Sequence, residues 1–251
     1  MKEELAGLPR TMLCDLPVLA LERDQVVDLL RERIENGHGT WVVTLNLEMV
    51  SRRERDSAYR QLLEAADILI PDGMPLVWAS RRKKGAIPLP MRVTGSDLTG
   101  DLLRIVPAHY IAVVGGENPG KALETANVPD REKIFVDASF IQVDKESIKS
   151  LAHRLHGRRL VFLALGVPKQ DQIALALREY LPEASFIGVG GSFELLGKQK
   201  MRAPTWVQNA GFEWLFRLLS EPRRLWKRYL IESWTGGFAL YNDIRRGKHS
   251  S

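Results

Sequence analysis

Short, unbroken apolar runs alternate with longer amphipathic stretches along most of this 251-residue chain, and that rhythm narrows what it can fold into. The runs are Trp41–Leu45 (WVVTL), Asp67–Ile70 (DILI), Tyr110–Val114 (YIAVV), Lys133–Val136 (KIFV), Leu160–Leu165 (LVFLAL) and Ser185–Val189 (SFIGV). Most are continuous in Val, Ile, Leu and Phe, without the strict in–out alternation of a strand that has one wet face. Strands buried on both faces read this way, and two-sided burial calls for a parallel sheet covered by helices. Helical patterns fall between the runs, at Asp24–Asn36, Glu48–Ala65, Ser96–Val106, Pro119–Ala126, Lys145–His156 and Pro168–Tyr180. Asp24 and Ser96 are placed to cap helix starts, and Gly37 and Gly157 stand where glycine ends a helix. The βαβ rhythm predicts an α/β fold, a doubly wound and mostly parallel sheet with helices on both faces. Residues 1–16 and 246–251 read as loose ends.

Composition sets further bounds. A single cysteine, Cys14, rules out an internal disulfide and fits a reducing compartment. The opening MKEELAGLPR carries acidic residues and no apolar core, so it is not read as a signal peptide. No apolar run approaches the roughly 18 residues that a membrane-spanning helix needs, so any membrane contact is expected to be peripheral. The formal net charge of +5 favours anionic partners, and its excess is concentrated near the C-terminus.

That basic excess lies in Gly188–Leu230, which begins as a glycine-rich strand exit and ends in arginines around Pro222. From Met201 to Ile231 six basic residues (Arg202, Arg217, Arg223, Arg224, Lys227, Arg228) face two acidic ones, with Trp206, Trp214 and Trp226 among them. Aromatics beside arginines suit a surface that meets lipid headgroups and phosphates. The Trp206–Leu219 stretch is apolar on more than one face, which leaves a core helix, a subunit interface and membrane docking all open. Gly211–Leu240 reads as an appendage to the sheet.

Ligands of open α/β sheets bind beyond the C-terminal ends of the strands. Polar residues and glycines recur at those ends: Thr44, Asn46 and Glu48; Pro71, Asp72 and Gly73; Gly115 and Gly116; Gly166, Lys169 and Gln170; Gly190 and Gly191. Asp72, inside Pro-Asp-Gly, is either a general base on the rim or a turn residue bonding its own backbone. Gly115 and Gly116, in VVGGENPGKALE, form either a tight turn or a phosphate-binding helix start, and Gly190, in GVGGSF, has the same two readings. Arg92 and Thr94, in RVTGSDL, either contact a sugar or phosphate or belong to a capped helix start. There is no Asp-x-Asp pair of the kind that holds a divalent ion on a nucleotide diphosphate, and the histidines show no zinc spacing, so neither metal nor cofactor is expected. No G-x-G-x-x-G follows the first run, which disfavours a nicotinamide dehydrogenase. No RNP-like aromatic strand or GXXG loop supports RNA recognition. The rival class is a non-catalytic Rossmann-like nucleotide- or RNA-binding protein.

Taken together, Thr44–Glu48 (TLNLE), Pro71–Gly73, RVTGSDL, LGVPKQD (Leu165–Asp171), GVGGSF, Arg202–Pro204 and GFEWLFRLLSEPRRLWKRY resemble the WecG/TagA/CpsF family of bacterial glycosyltransferases, glycosyltransferase family 26. The resemblance runs from about Trp41 to Tyr229, and the order of the motifs and the length of the last make it specific. It implies a Rossmann-like catalytic domain over residues 1–200 and a membrane-associating, arginine-rich appendage over 201–251. It implies metal-independent transfer of a hexose-type sugar from a UDP-sugar donor to a polyprenyl-diphosphate-linked sugar acceptor, for a bacterial surface polysaccharide. It sets the protein peripherally on the cytoplasmic face of the inner membrane, against an anionic surface, with no nucleic-acid partner and with a homo-oligomer left open. The family's base falls on Asp72 and its polar pocket on Thr44, Asn46, Arg92 and Gln170. Its appendage arginines fall on Arg217, Arg224 and Arg228, with Arg202 a further cation for the leaving diphosphate.

Overall fold

The computed structural model describes residues 5–197, 204, 207, 213–220, 226 and 233–249. The strands β1 (Arg10–Leu13), β2 (Leu16–Leu19), β3 (Trp41–Leu45), β4 (Ile68–Pro71), β5 (Ile111–Gly115), β6 (Phe135–Asp137), β7 (Leu160–Ala164) and β8 (Ser185–Gly188) form one sheet, ordered β1-β2-β4-β3-β8-β7-β5-β6. Every neighbouring pair is parallel except β1–β2. The fold is therefore the expected α/β, Rossmann-like sheet, and each expected strand is present within two residues of its sequence bounds.

Two-sided burial is visible residue by residue. The pleat sends successive side chains to opposite faces. Trp41, Val43, Leu45, Leu69, Ala112, Val114, Val161, Leu163 and Phe186 enter one core cluster. Their neighbours Val42, Ile68, Ile70, Ile111, Val113, Leu160, Phe162 and Ile187 enter the other. The helices that close these faces are α1 (Arg23–Glu35), α2 (Leu47–Arg55), α3 (Ser57–Glu64), α4 (Met74–Arg82), α5 (Gly95–Ile105), α6 (Pro119–Thr125), α7 (Lys145–Arg154), α8 (Lys169–Leu177) and α9 (Ser192–Leu196), followed by α10 (Glu213–Ser220) and α11 (Trp234–His249).

Four expectations are corrected. Residues 10–19 are not loose: they form the β1–β2 hairpin, with Leu13, Leu16 and Val18 buried and Val18 paired with Leu69 of β4. Its two-residue turn uses Cys14 and Asp15 at φ 48° and 59°, a left-handed pair that needs no glycine and so carries no glycine signal. Residues 246–249 are not loose either, because α11 runs to His249; residues 250 and 251 lie outside the described residues. The stretch Glu48–Ala65 is two helices. Asp56 leaves helical geometry (φ −131°, ψ 105°), and its carboxylate accepts from the Ala58 and Tyr59 N–H groups at 3.0 Å, restarting the chain as α3. Caps also shift: the Glu22 N–H donates to Gln25 Oε1 at 3.0 Å ahead of α1, and Thr94 rather than Ser96 caps α5.

Helix α11 packs on α2 and α4. Gly236 is what lets it approach: a Cβ there would lie 2.5 Å from the Leu47 carbonyl oxygen and 2.9 Å from Ser51 N. Gly236 N–H donates to Ser51 Oγ at 3.1 Å, and the Ser51 and Thr235 hydroxyls are hydrogen-bonded to each other. At the far end Lys83 Nζ bonds Asp243 at 2.8 Å and the Met12 carbonyl at 2.8 Å, while the Cys14 N–H donates to Asp243 Oδ2 at 3.0 Å. Asp243 thus ties α11 to α4 and to the hairpin at once.

In an unhindered helix Gly→Ala stabilises by about 1 kcal/mol. At Gly236 the collision is with backbone, so the sign reverses. Gly236→Ala is expected to cost about 1–3 kcal/mol and to lower the thermal midpoint by several degrees. A midpoint that rises would show that α11 does not seat on α2 this closely.

Candidate functional site

The strand exits of β3, β4 and β8 lie side by side, because Leu45 pairs with Pro71 and Val43 with Gly188. One chain of hydrogen bonds and close contacts runs across them. Thr44, the polar residue of an otherwise apolar strand, donates from Oγ1 to the Gly188 carbonyl at 3.0 Å. Gln170, in the first turn of α8, accepts at Oε1 from the Gly190 N–H at 3.1 Å. It also packs closely on Gly188, where a Cβ would fall 2.5 Å from Gln170 Nε2, so only glycine allows that approach. On the β4 side the Asp72 N–H donates to the Leu45 carbonyl at 2.7 Å, and Asp72 Oδ2 accepts from Gly95 N–H at 3.4 Å. Gly95 in turn sits against Thr44 and Ser192: its Cβ would lie 3.4 Å from Thr44 Cγ2 and 3.5 Å from Ser192 Oγ.

Thr44, Asp72, Gln170 and Gly190 therefore share one rim, and Thr94 joins them through Gly95. Thr94 has its hydroxyl in the α5 cap, accepting from Asp97 N–H at 3.1 Å and donating to Asp97 Oδ2 at 2.8 Å. That favours a structural part for its side chain. Asn46 caps α2, with Oδ1 accepting from Met49 N–H at 3.2 Å, so the donor end of its amide is the end with capacity left. Arg92 is half-buried one residue before Val93, whose N–H bonds the Pro71 carbonyl at 2.8 Å, which sets it beside the Asp72 turn.

Gly115 and Gly116 stand at the β5 exit with φ of 84° and 85°. They reach the same rim through α9: Glu194 Oε1 accepts from the Glu117 N–H at 3.4 Å and lies 4.0 Å from where a Gly116 Cβ would be. Arg217 lies on α10, but its side chain is outside the described residues, as are Arg202, Arg224 and Arg228. Among the described residues no group of His, Cys, Asp or Glu is gathered as a metal ion would require, and no helix is long and apolar enough to cross a membrane.

Sequence reasoning missed three features. Phe140, just past β6, is 82% exposed, with Lys169 Nζ 3.9 Å from its ring centroid. A lone aromatic in a polar loop was its only signal. Glu194 carried no motif. The third feature is buried: the Tyr59 hydroxyl donates to Asp171 Oδ2 at 2.9 Å, joining α3 to α8. Burial pushes the Asp171 carboxyl up to about 7, against the Tyr59 hydrogen bond and the Arg52 charge, which both lower it. Burial and the adjacent carboxylate push the Tyr59 phenol up as well.

An unfolded aspartate titrates near 4. Between that pH and about 7 the folded chain holds a proton at Asp171 that the unfolded chain releases. This group's stabilisation is therefore full below about pH 4 and is lost as pH rises to about 7. Asp171→Asn cannot titrate. Its thermal midpoint relative to wild type is expected to rise between pH 5 and pH 8, by on the order of 5 °C. A difference that stays flat over that range would rule out the raised carboxyl.

The family model described as "Glycosyl transferase WecG/TagA/CpsF family" matches residues 11–250. The match takes in the β1–β2 hairpin, every strand exit and helix α11, and the chain belongs to the WecG/TagA/CpsF family of glycosyltransferases.

Proposed function

We propose that this glycosyltransferase is inverting and metal-independent, and that it moves a hexose-type sugar from a UDP donor to a polyprenyl-diphosphate-linked sugar. The observation that carries the reading is the rim itself. Thr44, Asp72, Gln170 and Gly190 converge at the adjoining exits of β3, β4 and β8, where ligands of doubly wound sheets bind.

The chemistry follows from the groups present. The acceptor hydroxyl oxygen attacks the anomeric carbon and passes its proton to the Asp72 carboxylate. The bond from the anomeric carbon to the β-phosphate oxygen breaks, and UDP leaves from the opposite face with the electron pair. Backbone N–H groups at the glycine-rich exits and the cationic side chains of Arg202, Arg217, Arg224 and Arg228 supply stabilisation for the developing charge. Arg92, Thr44, Asn46 and Gln170 orient the two sugars. The exposed Phe140 ring, with Lys169 over it, offers a stacking platform for a planar base near the β5 and β6 exits.

The 201–251 segment is assigned here to an anionic membrane surface on the cytoplasmic side. Its arginines support this, and so do the exposed aromatic side chains of α11: Trp234, Phe238 and Tyr241 lie on one helical stripe. Membrane docking would bring the lipid-linked acceptor to the rim without a spanning segment.

Asp72→Asn is expected to reduce turnover by at least about 10³-fold while leaving the thermal midpoint close to wild type. Turnover within a few fold of wild type would remove Asp72 as the base. The substrate reading is tested with EDTA present, offering UDP-glucose, UDP-N-acetylmannosamine and UDP-N-acetylmannosaminuronic acid with short-chain prenyl-diphosphate-sugar acceptors, and following UDP release and product mass. One donor turned over identifies the sugar. No turnover and no UDP binding would move the weight to a non-catalytic nucleotide- or RNA-binding role. For the appendage, reversing the charge of Arg223, Arg224 and Arg228 is expected to release the protein from anionic vesicles as high salt does. Binding that persists would argue for a subunit contact.

A further inference from the structure

Gln170, Asp171 and Tyr59 form a buried group of polar side chains within the apolar sheet–helix packing. Gln170 is 2% exposed, Asp171 1% and Tyr59 2%. A buried polar group is costly unless it is bonded, and these bonds point in useful directions. Gln170 reaches the β8 exit through Gly190 N–H at 3.1 Å. Its sequence neighbour Asp171 reaches the other way, to the Tyr59 hydroxyl on α3 at 2.9 Å. Asp171 Oδ1 is buried with no hydrogen-bond partner, so the carboxyl is anchored through the Tyr59 bond alone.

The position of Tyr59 is itself set by the break at Asp56. The Asp56 carboxylate accepts from the Tyr59 N–H at 3.0 Å, and the reset lets α3 pack against α8. The Arg52 guanidinium of α2 sits 5.8 Å from the Tyr59 ring centroid, so α2, which starts at the Asn46 cap, bears on the same ring. The pair therefore spans the two halves of the rim: α2 and α3 follow β3 and carry Asn46, while α8 follows β7 and carries Gln170.

We infer that the Tyr59–Asp171 hydrogen bond is a positioning strut for glycosyl transfer, holding the first turn of α8 in place so that Gln170 keeps the Gly188–Gly190 exit in its reactive shape. Neither residue touches substrate. Tyr59 and Asp171 act only through Gln170, and the inference rests on the transferase reading above. Small displacements of an orienting group are expensive in rate, on the order of 10²-fold for about 1 Å.

The test uses Tyr59→Phe, which removes one oxygen and preserves the ring. At a temperature well below its thermal midpoint it is expected to lower kcat by about 10-fold or more while the donor KM moves less than about threefold. A purely structural residue would lower the midpoint and leave kcat alone, and that result overturns the strut. In a Gln170→Ala background the same change is expected to add no further loss; two losses that multiply would overturn action through Gln170.

A readout without substrate separates this inference from the function. Amide exchange of Gly190 N–H is expected to quicken about 10-fold in Tyr59→Phe, and Gly190 protection that does not change overturns the strut whatever the enzyme turns over. Asp171→Asn keeps an oxygen to accept from Tyr59 and is expected to keep that protection, whereas Asp171→Ala loses it. Equal behaviour of the two Asp171 variants also overturns the proposal. If wild type turns over no donor while the Gly190 results hold, it is the transferase reading that fails and not the strut.

Discussion

Burial of the parallel sheet on both faces is the constraint from which the rest follows. Once Trp41, Val43 and Leu45 fill one core and Val42, Ile68 and Ile70 the other, the central strands have no wet face on which to carry chemistry. Polar groups are driven to the strand ends, and the adjoining ends of β3, β4 and β8 collect them in one place. The single hydroxyl inside β3, on Thr44, is tolerated because it donates a hydrogen bond to the Gly188 carbonyl. The candidate site is the part of the sheet that burial leaves polar.

A second layer supports the first. The helices leaving β3 and β4 begin at Asn46 and Gly73, on either side of the Asp72 turn, and α11 lies across both of them. Its seating is tight where Gly236 meets the Leu47 carbonyl, and charged where Asp243 takes Lys83 and the Cys14 N–H together. A partly buried ion pair like Lys83–Asp243 contributes mainly through geometry, since desolvation offsets much of its Coulombic gain. Here that geometry fixes which way the last helix lies over the helices that bear the rim.

The strands were legible because two-sided burial writes itself as unbroken Val, Ile, Leu and Phe. The rim was legible because Gly, Asp and Gln interrupt those runs at their ends. The hairpin was not, since its left-handed turn is built from Cys14 and Asp15 rather than Asn-Gly. The break between α2 and α3 was hidden inside a continuous amphipathic pattern, where Asp56 reads as one more surface residue until its carboxylate is seen capping α3. Tyr59–Asp171 and Glu194 were beyond reach for another reason. Both join elements far apart in sequence, and a lone buried carboxylate has no periodicity to betray it. The appendage arginines remain a statement about sequence.

The link from Cys14 to Asp243 has a consequence for how the protein is made. These residues stand 229 positions apart, at nearly opposite ends of the chain. As the polypeptide leaves the ribosome, the hairpin, α2 and α4 emerge long before the helix that covers them. Until then the Leu47–Ser51 backbone face lacks its α11 cover and the Lys83 ammonium, bonded to the Met12 carbonyl, lacks its Asp243 partner. A nascent chain stalled between β8 and α11 carries every strand of the sheet and lacks the helix that covers α2 and α4.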